Sequence, residues 1–263
     1  MSLVVLLAGG AYWLSLGDGG SGATAGVLPS RTATPTGTPV STRVPKATTS
    51  AAVHAASSPP QAVLAKALAA ATAAHWMHLQ INDSVKLHTA SFSDDSGPTS
   101  GTQDIVVDGA HTSVRLVDSD VYFTGDKAAL LHYYGFTEAQ AVRYVGQWLS
   151  LRPGGKAYDN VSGGITMASV LKEMALTGPL RMLPAVKRDG RLVFGISGKP
   201  VGSHMSSHAT ATMWIAADGS MLPVEYVAQD GQKRMDVVMS RWGHAVNVVA
   251  PDTAIPLYPK AAV

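Results

Sequence analysis

Residues able to do chemistry are thinly spread through this chain. Nine histidines and no cysteine occur in 263 residues, so a metal site would need imidazole and carboxylate ligands. His204 and His208 in GSHMSSHAT stand four apart, but the Gly, Ser and Thr around them argue for loop or strand. On a strand that spacing leaves them two pleats apart, too far for comfortable co-ligation without a third partner. His75 and His78 flank a helix-to-strand junction and have no evident carboxylate partner. The expectation is that no metal is bound. Asp118 and Asp120 in VDSDVY resemble a carboxylate pair, as do Asp94 and Asp95 before Gly-Pro, yet both pairs read as turns. The nucleophile elbow Gly-x-Ser-x-Gly, the phosphate loop Gly-x-x-x-x-Gly-Lys and the zinc motif His-Glu-x-x-His do not occur. The sequence therefore predicts no catalytic residue, no cofactor and no enzyme activity.

What remains is an aromatic cluster. Tyr122, Phe123, His132, Tyr133, Tyr134, Phe136, Tyr144 and Trp148 fall within one short span. Such rings serve as plain core, or as a cavity mouth where an apolar ligand meets water. They begin in VYFTGDKAALLHYYG (Val121 to Gly135), which reads as a strand that stops at a Gly-Asp corner and turns into a helix. Asp126 suits the N-cap of KAALLHYY and Gly135 its left-handed close. Thr137 and Gln140 form a capping box for TEAQAVRYV. A third helix, TMASVLKEMAL, follows Gly163-Gly164 and carries Met167, Val170, Leu171 and Met174 on one stripe.

Strands surround these helices. WMHLQIND, VKLHTASFS, TQDIVVDG and HTSVRLVDSDVYFTG precede them; RLVFGISG, ATATMWIAADG, MLPVEYVAQDG and KRMDVVMSRWG follow. Asp-Gly in DGAH, RDGR, ADGS and QDGQ is a strong hairpin signal, so consecutive strands should pair antiparallel. A leading helix, QAVLAKALAAATAAHW, opens with Pro60 in its first turn and aligns Val63, Leu64, Ala67, Leu68 and Ala71. The fold class expected is α+β: helices covering one face of a single curved antiparallel sheet.

Hydrophobic residues make up 46% of the chain and charged residues 14%, with a net charge of +2. That affords a sizeable core and is too weak a charge to favour nucleic acid. Residues 1–16 include the uncharged SLVVLLAGGAYWLSL, which spans roughly 22 Å at a helical rise, short of a bilayer core. It reads as the apolar region of a signal peptide or as a membrane anchor with its beginning upstream. Residues 17–60 are rich in Gly, Ser, Thr, Ala and Pro and read as a disordered tether. Residues 61–257 form the domain, and 258–263 a tail. Export into the cell envelope follows, anchored or secreted.

Four segments resemble, in order, the LppX/LprAFG-type lipoproteins of actinobacteria. They are ALAAATAAHWMHLQI; VRLVDSDVYFTGD with its later tryptophan (Val121, Tyr122, Gly125, Asp126, Trp148); MWIAADGSMLPVEY (Asp218, Gly219, Leu222, Pro223); and VVMSRWGHAVNVVAP (Ser240, Trp242, Gly243, Val246, Ala250, Pro251). The resemblance implies a strongly curved half-barrel sheet with helices packed on its concave face, related to LolA-like carriers. It implies a lipid or glycolipid held by its acyl chains between sheet and helices. The expected lining is Leu116, Tyr122, Leu130, Leu131, Tyr134, Trp148, Val170, Leu171 and Met174. This chain has no cysteine to acylate, so membrane attachment would fall to the N-terminal segment, and a monomer is expected. The rival reading is a ligand-free sensor or scaffold domain of the envelope, in which the same residues are packed core.

Overall fold

The computed structural model of the chain describes residues 2–7, 10–15, 58–85, 88–201, 206 and 208–257. Nearly all of the expected tether, His204 and the expected tail lie outside the described residues. The apolar N-terminal segment, measured above at a helical rise, pairs instead as antiparallel strands β1 (Ser2–Leu7) and β2 (Gly10–Ser15). Val4, Val5, Tyr12 and Trp13 are residue types that suit extended backbone. No helix among the described residues is long and apolar enough to cross a membrane.

Helix α1 (Pro60–Ala74) buries Val63, Leu64, Ala67 and Ala71, one stripe of its surface. The chain then runs a meander of β3 (Met77–Val85), β4 (His88–Ser96), β5 (Gly101–Val107), β6 (Ala110–Val117) and β7 (Asp120–Gly125). Short elements follow: α2 (Lys127–His132), α3 (Glu138–Tyr144), β8 (Leu149–Leu151), α4 (Lys156–Ser162) and α5 (Met167–Glu173). A second meander closes the domain with β9 (Leu176–Arg188), β10 (Arg191–Pro200), β11 (Thr210–Ala216), β12 (Pro223–Asp230), β13 (Lys233–Ser240) and the two-residue β14 (Ile255–Pro256). Twelve of these strands make one open sheet, ordered β14-β8-β7-β6-β5-β4-β3-β13-β12-β11-β10-β9. Every neighbouring pair is antiparallel except β14 with β8, where the chain returns in parallel. Asp108-Gly109 and Asp189-Gly190 take positive φ at both positions, the geometry of the tight hairpins expected there.

The sheet cannot be flat. Met167 at the start of α5 donates its N–H to the carbonyl of Gly97, just past β4 (2.9 Å). Only nine residues later, Leu176 opens β9 at the far edge. Six strand spacings separate β4 from β9, about 29 Å on a flat sheet. A seven-residue helix and a short extended link reach about 20 Å at most. The sheet must therefore curl, and the helices lie in the hollow. Alternation fits this. Phe92, Ile105, Val114, Leu116, Phe123, Met213, Ile215, Tyr226 and Val237 face inward and are buried.

Besides the short strands β8 and β14, two longer elements escaped the sequence reading. Strand β9 carries Pro179 and Pro184, which cannot donate to a ladder. It is an edge strand, and its register with β10 slips at the stretches holding those prolines. Helix α4 has Gly155 at its N-cap with no side-chain cap bond, so it shows no start signal.

The Gly-Asp corner is held by one side chain. Asp126 Oδ1 accepts the N–H of Ala129 (2.8 Å), capping α2, and Oδ2 accepts the N–H of His111 on β6 (2.8 Å). Replacing Asp126 by Ala should cost about 1–2 kcal/mol, because a cap and a strand contact go together. Asp126→Asn keeps one acceptor and should cost less. Urea unfolding of both variants reads the difference, and equal losses would show that only one of the two bonds matters.

Candidate functional site

The hollow of the sheet brings together five of the nine expected lining residues. Leu116 on β6, Leu130 on α2, and Val170, Leu171 and Met174 on or just after α5 belong to one buried apolar cluster. Leu131 and Tyr134 pack against it. The ring of Tyr134 stacks on Phe123 with centroids 4.4 Å apart, and its hydroxyl pairs with Thr112 Oγ1 (2.8 Å). Phe136 and Tyr144 continue the aromatic row, 5.9 Å between centroids. These rings fix α2 and α3 to the sheet.

Tyr122 and Trp148 do not join that space. Tyr122 alternates with the buried Val121 and Phe123, so it stands on the other, convex face, paired with Arg115 and Ser150. Trp148 lies beneath the Arg115 guanidinium (4.6 Å to the ring). Arg115 also donates to the carbonyl of Val249 (3.1 Å). A C-terminal strap therefore crosses the convex face before β14 joins β8. At the sheet edge it encloses, with α4, a half-open cavity of about 680 Å³ walled by Tyr122, Leu151, Tyr158, Pro251, Pro256 and Leu257. That volume lies within the range of small-molecule pockets. Sequence reasoning missed this space, because a period-two pattern gives alternation but not which face a strap will cover.

The other carboxylates settle as follows. Asp118 and Ser119 form the β6–β7 turn with positive φ, whereas Asp120, expected in the same turn, opens β7. Asp94 and Asp95 are not a turn: they lie within β4, just before its last residue Ser96, and face opposite ways. Asp95 points outward and accepts from Arg241 (3.0 Å) and pairs with His78 (2.9 Å). His78 thus has the carboxylate partner that the sequence did not reveal. Among the described residues no group of three potential ligands is placed to hold a metal, and His208 is exposed.

Asp94 points inward and is fully buried. One oxygen accepts from Gln103 Nε2 on β5 (3.2 Å); the other has no hydrogen-bond partner, nor has the hydroxyl of buried Ser96. The same Gln103 nitrogen donates to the carbonyl of Gly164 (3.4 Å), in the loop leading into α5. The loop is seated closely, since a Cβ on Gly101 would lie 2.6 Å from the carbonyl oxygen of Ile165. Thr166 then caps α5 by accepting the N–H of Ser169. Burial pushes the Asp94 carboxyl well above its usual range; Gln103 lowers it, and the neighbouring Asp104 and Asp95 add to the rise. The signal that could have found this group is the spacing Phe92, Asp94, Ser96, which puts both polar residues on the face of a core phenylalanine.

No protein-family model matches the chain, and no curated protein matches it. Among solved structures it is similar to LprF from Mycobacterium bovis, at 16% identity over 73% of this chain and 96% of that one, with a TM-score of 0.47. It is similar to the lipoprotein LppX of Mycobacterium tuberculosis, at 20% identity over 72% of this chain and 99% of that one, with a TM-score of 0.46. MucB is a third, at 13% identity over 73% and 63% of the two chains, with a TM-score of 0.37.

The buried carboxyl makes stability depend on pH in a definite direction. A raised folded pKa means that Asp94 contributes fully below the ordinary carboxylate value of 3.8, and that the contribution is lost as pH rises through the raised value. Asp94→Asn has no proton to lose. Its urea midpoint should gain on the wild type steadily from acid to neutral pH; a pH-independent gap would show that Asp94 does not titrate there.

Proposed function

We propose that the chain is an extracytoplasmic protein of the cell envelope that binds the acyl chain of a lipid or glycolipid. The chain would lie between the sheet and α5, and the protein would act as a monomer attached to, or released from, the membrane through its N-terminal segment. The observation that carries this reading is the methionine content of the hollow. Met77, Met167, Met174, Met213 and Met239 are all buried, each between 0% and 4% exposed. Unbranched, polarisable side chains repack around variable shapes at little cost. The cover over them is made of short helices, the longest of which after β7 has seven residues.

Leu116, Leu130, Val170, Leu171 and Met174 belong to one filled apolar cluster, with Leu131 and Tyr134 packed against it, so a chain would enter by displacing α5. Tyr122 would wall the edge cavity instead, where the ligand's outer end could rest, while Trp148 stays under Arg115 outside it. Each methylene buried contributes about 0.8 kcal/mol, so ten would supply about 8 kcal/mol against the cost of ordering and opening. The sequence resemblance set out above supports the same reading.

One observation favours the rival. The hollow is filled by contiguous side chains, as a sensor or scaffold domain would require. Native mass spectrometry with lipid extraction, on protein purified from its own host, separates the two. The carrier reading expects a bound lipid and binding of a fluorescent acyl probe; no lipid and no probe binding leave the scaffold. Leu171→Glu should weaken probe binding at least about tenfold while the far-ultraviolet circular dichroism of the sheet is kept. Loss of the whole fold would instead mark Leu171 as indispensable core.

A further inference from the structure

Beneath the loop that leads into α5, the inner face of β4 carries two polar side chains among apolar neighbours. Asp94 and Ser96 are both 0% exposed, and around them stand Leu79 and Ile165 (0%) and Phe92 (1%). Buried polar atoms in native folds nearly always have partners. Here Asp94 Oδ1 and Ser96 Oγ have none in the protein, although they sit two residues apart on one face. Both N–H groups of the Gln103 amide are already taken, by Asp94 Oδ2 and the Gly164 carbonyl, so it has no donor left for Asp94 Oδ1.

We propose that Asp94 and Ser96 form a subsite for a single hydroxyl group carried on an otherwise apolar chain bound under α5. This rests on the acyl-chain reading above. The capacity of the site sets the ligand chemistry. One carboxyl group and one serine hydroxyl, each able to donate or accept, are together the complement of one alcohol. A sugar head would bring several hydroxyls into walls that can satisfy only one, at a cost for each left unmade. A cation would need more carboxylate than the inner face offers there: Asp95 and Asp104 point outward on the same two strands. The subsite lies where the cover is most easily lifted. The bond from Gln103 to Gly164 is long, at 3.4 Å, and among the described residues Met167 to Gly97 is the other hydrogen bond joining loop and hairpin. Lifting the loop leaves Asp94 and Ser96 facing the space that the chain would occupy.

The test uses the full chain and displacement of a fluorescent acyl probe. Competitors are stearate and three hydroxystearates, with the hydroxyl near the carboxylate, at mid-chain or near the methyl end. One positional isomer should displace the probe at about tenfold lower concentration than stearate, since a site built to bond a hydroxyl rejects the analogue lacking it. Ser96→Ala and Asp94→Leu should each erase that advantage and leave stearate unchanged. Should Asp94→Leu fail to fold, Ser96→Ala, which removes one oxygen, carries the comparison. Equal displacement by stearate and every isomer in the wild type overturns the subsite and leaves acyl binding standing. Displacement by none of them overturns both.

Discussion

Covering the concave face is the constraint on which the rest of this molecule depends. A sheet of twelve strands offers far more inward apolar surface than a helix such as α1 can shield. The chain responds by curling the sheet and by laying several short helices across the hollow. Curl and cover are linked through one short span. Because α5 leaves Gly97 and reaches β9 within nine residues, the two halves of the sheet are drawn together over it. Burial of Met167, Val170, Leu171 and Met174 then rewards the approach. A seven-residue helix has little stability of its own, so α5 exists because of the hollow it fills.

The same economy leaves a weak place. Taking Asp94 to 0% exposure removes a carboxyl from water with one hydrogen bond in return, which desolvation makes expensive. Proteins avoid this in a core whose only task is stability, since an apolar residue of similar size would serve better. On the convex side, by contrast, charge is arranged to be satisfied. Arg188 bonds Glu225 (2.6 Å) and lies over the Trp214 ring (4.5 Å), and Gly195 between them is open enough for the indole to lie across it. The two faces of one sheet thus follow different rules. Outside, Arg188 and Glu225 pair; beneath α5, Asp94 Oδ1 and Ser96 Oγ do not.

Much of the fold was legible because its signals are local. The caps at Asp126 and Thr137, the hairpins at Asp108-Gly109 and Asp189-Gly190, and the buried stripe of α5 depend on near neighbours in sequence. Period-two alternation likewise marks Val237 and Met239 as inward. The misreadings have a common cause, which is that they depend on distant chain. Asp94 and Asp95 looked like turn residues because Gly-Pro follows, yet β3 and β5 on either side extend β4 through both. Tyr122 and Trp148 looked like lining because they are aromatic and near Tyr134 in sequence, but strand alternation and the strap from Val249 decide their face. Strand β9 was hidden by two prolines that matter only in a strand with two partners.

The position of β9 bears on how so open a sheet avoids pairing with another. Unpaired edges are templates for association unless blunted. At one end, β9 interrupts its ladder with Pro179 and Pro184 and carries Arg181, Lys187 and Arg188 along its length. At the other, β8 is only three residues long, and β14 covers it with a strand that itself contains Pro256. The strap that delivers β14 is tied at its start by Arg241 to Asp95 and at its middle by Arg115 to Val249. Its path across the convex face therefore does two things at once. It terminates the sheet, and it roofs the edge cavity beside Tyr122 and Tyr158. Release of that strap would expose both a bare strand and an apolar surface, so its tethers protect solubility as much as they shape a pocket.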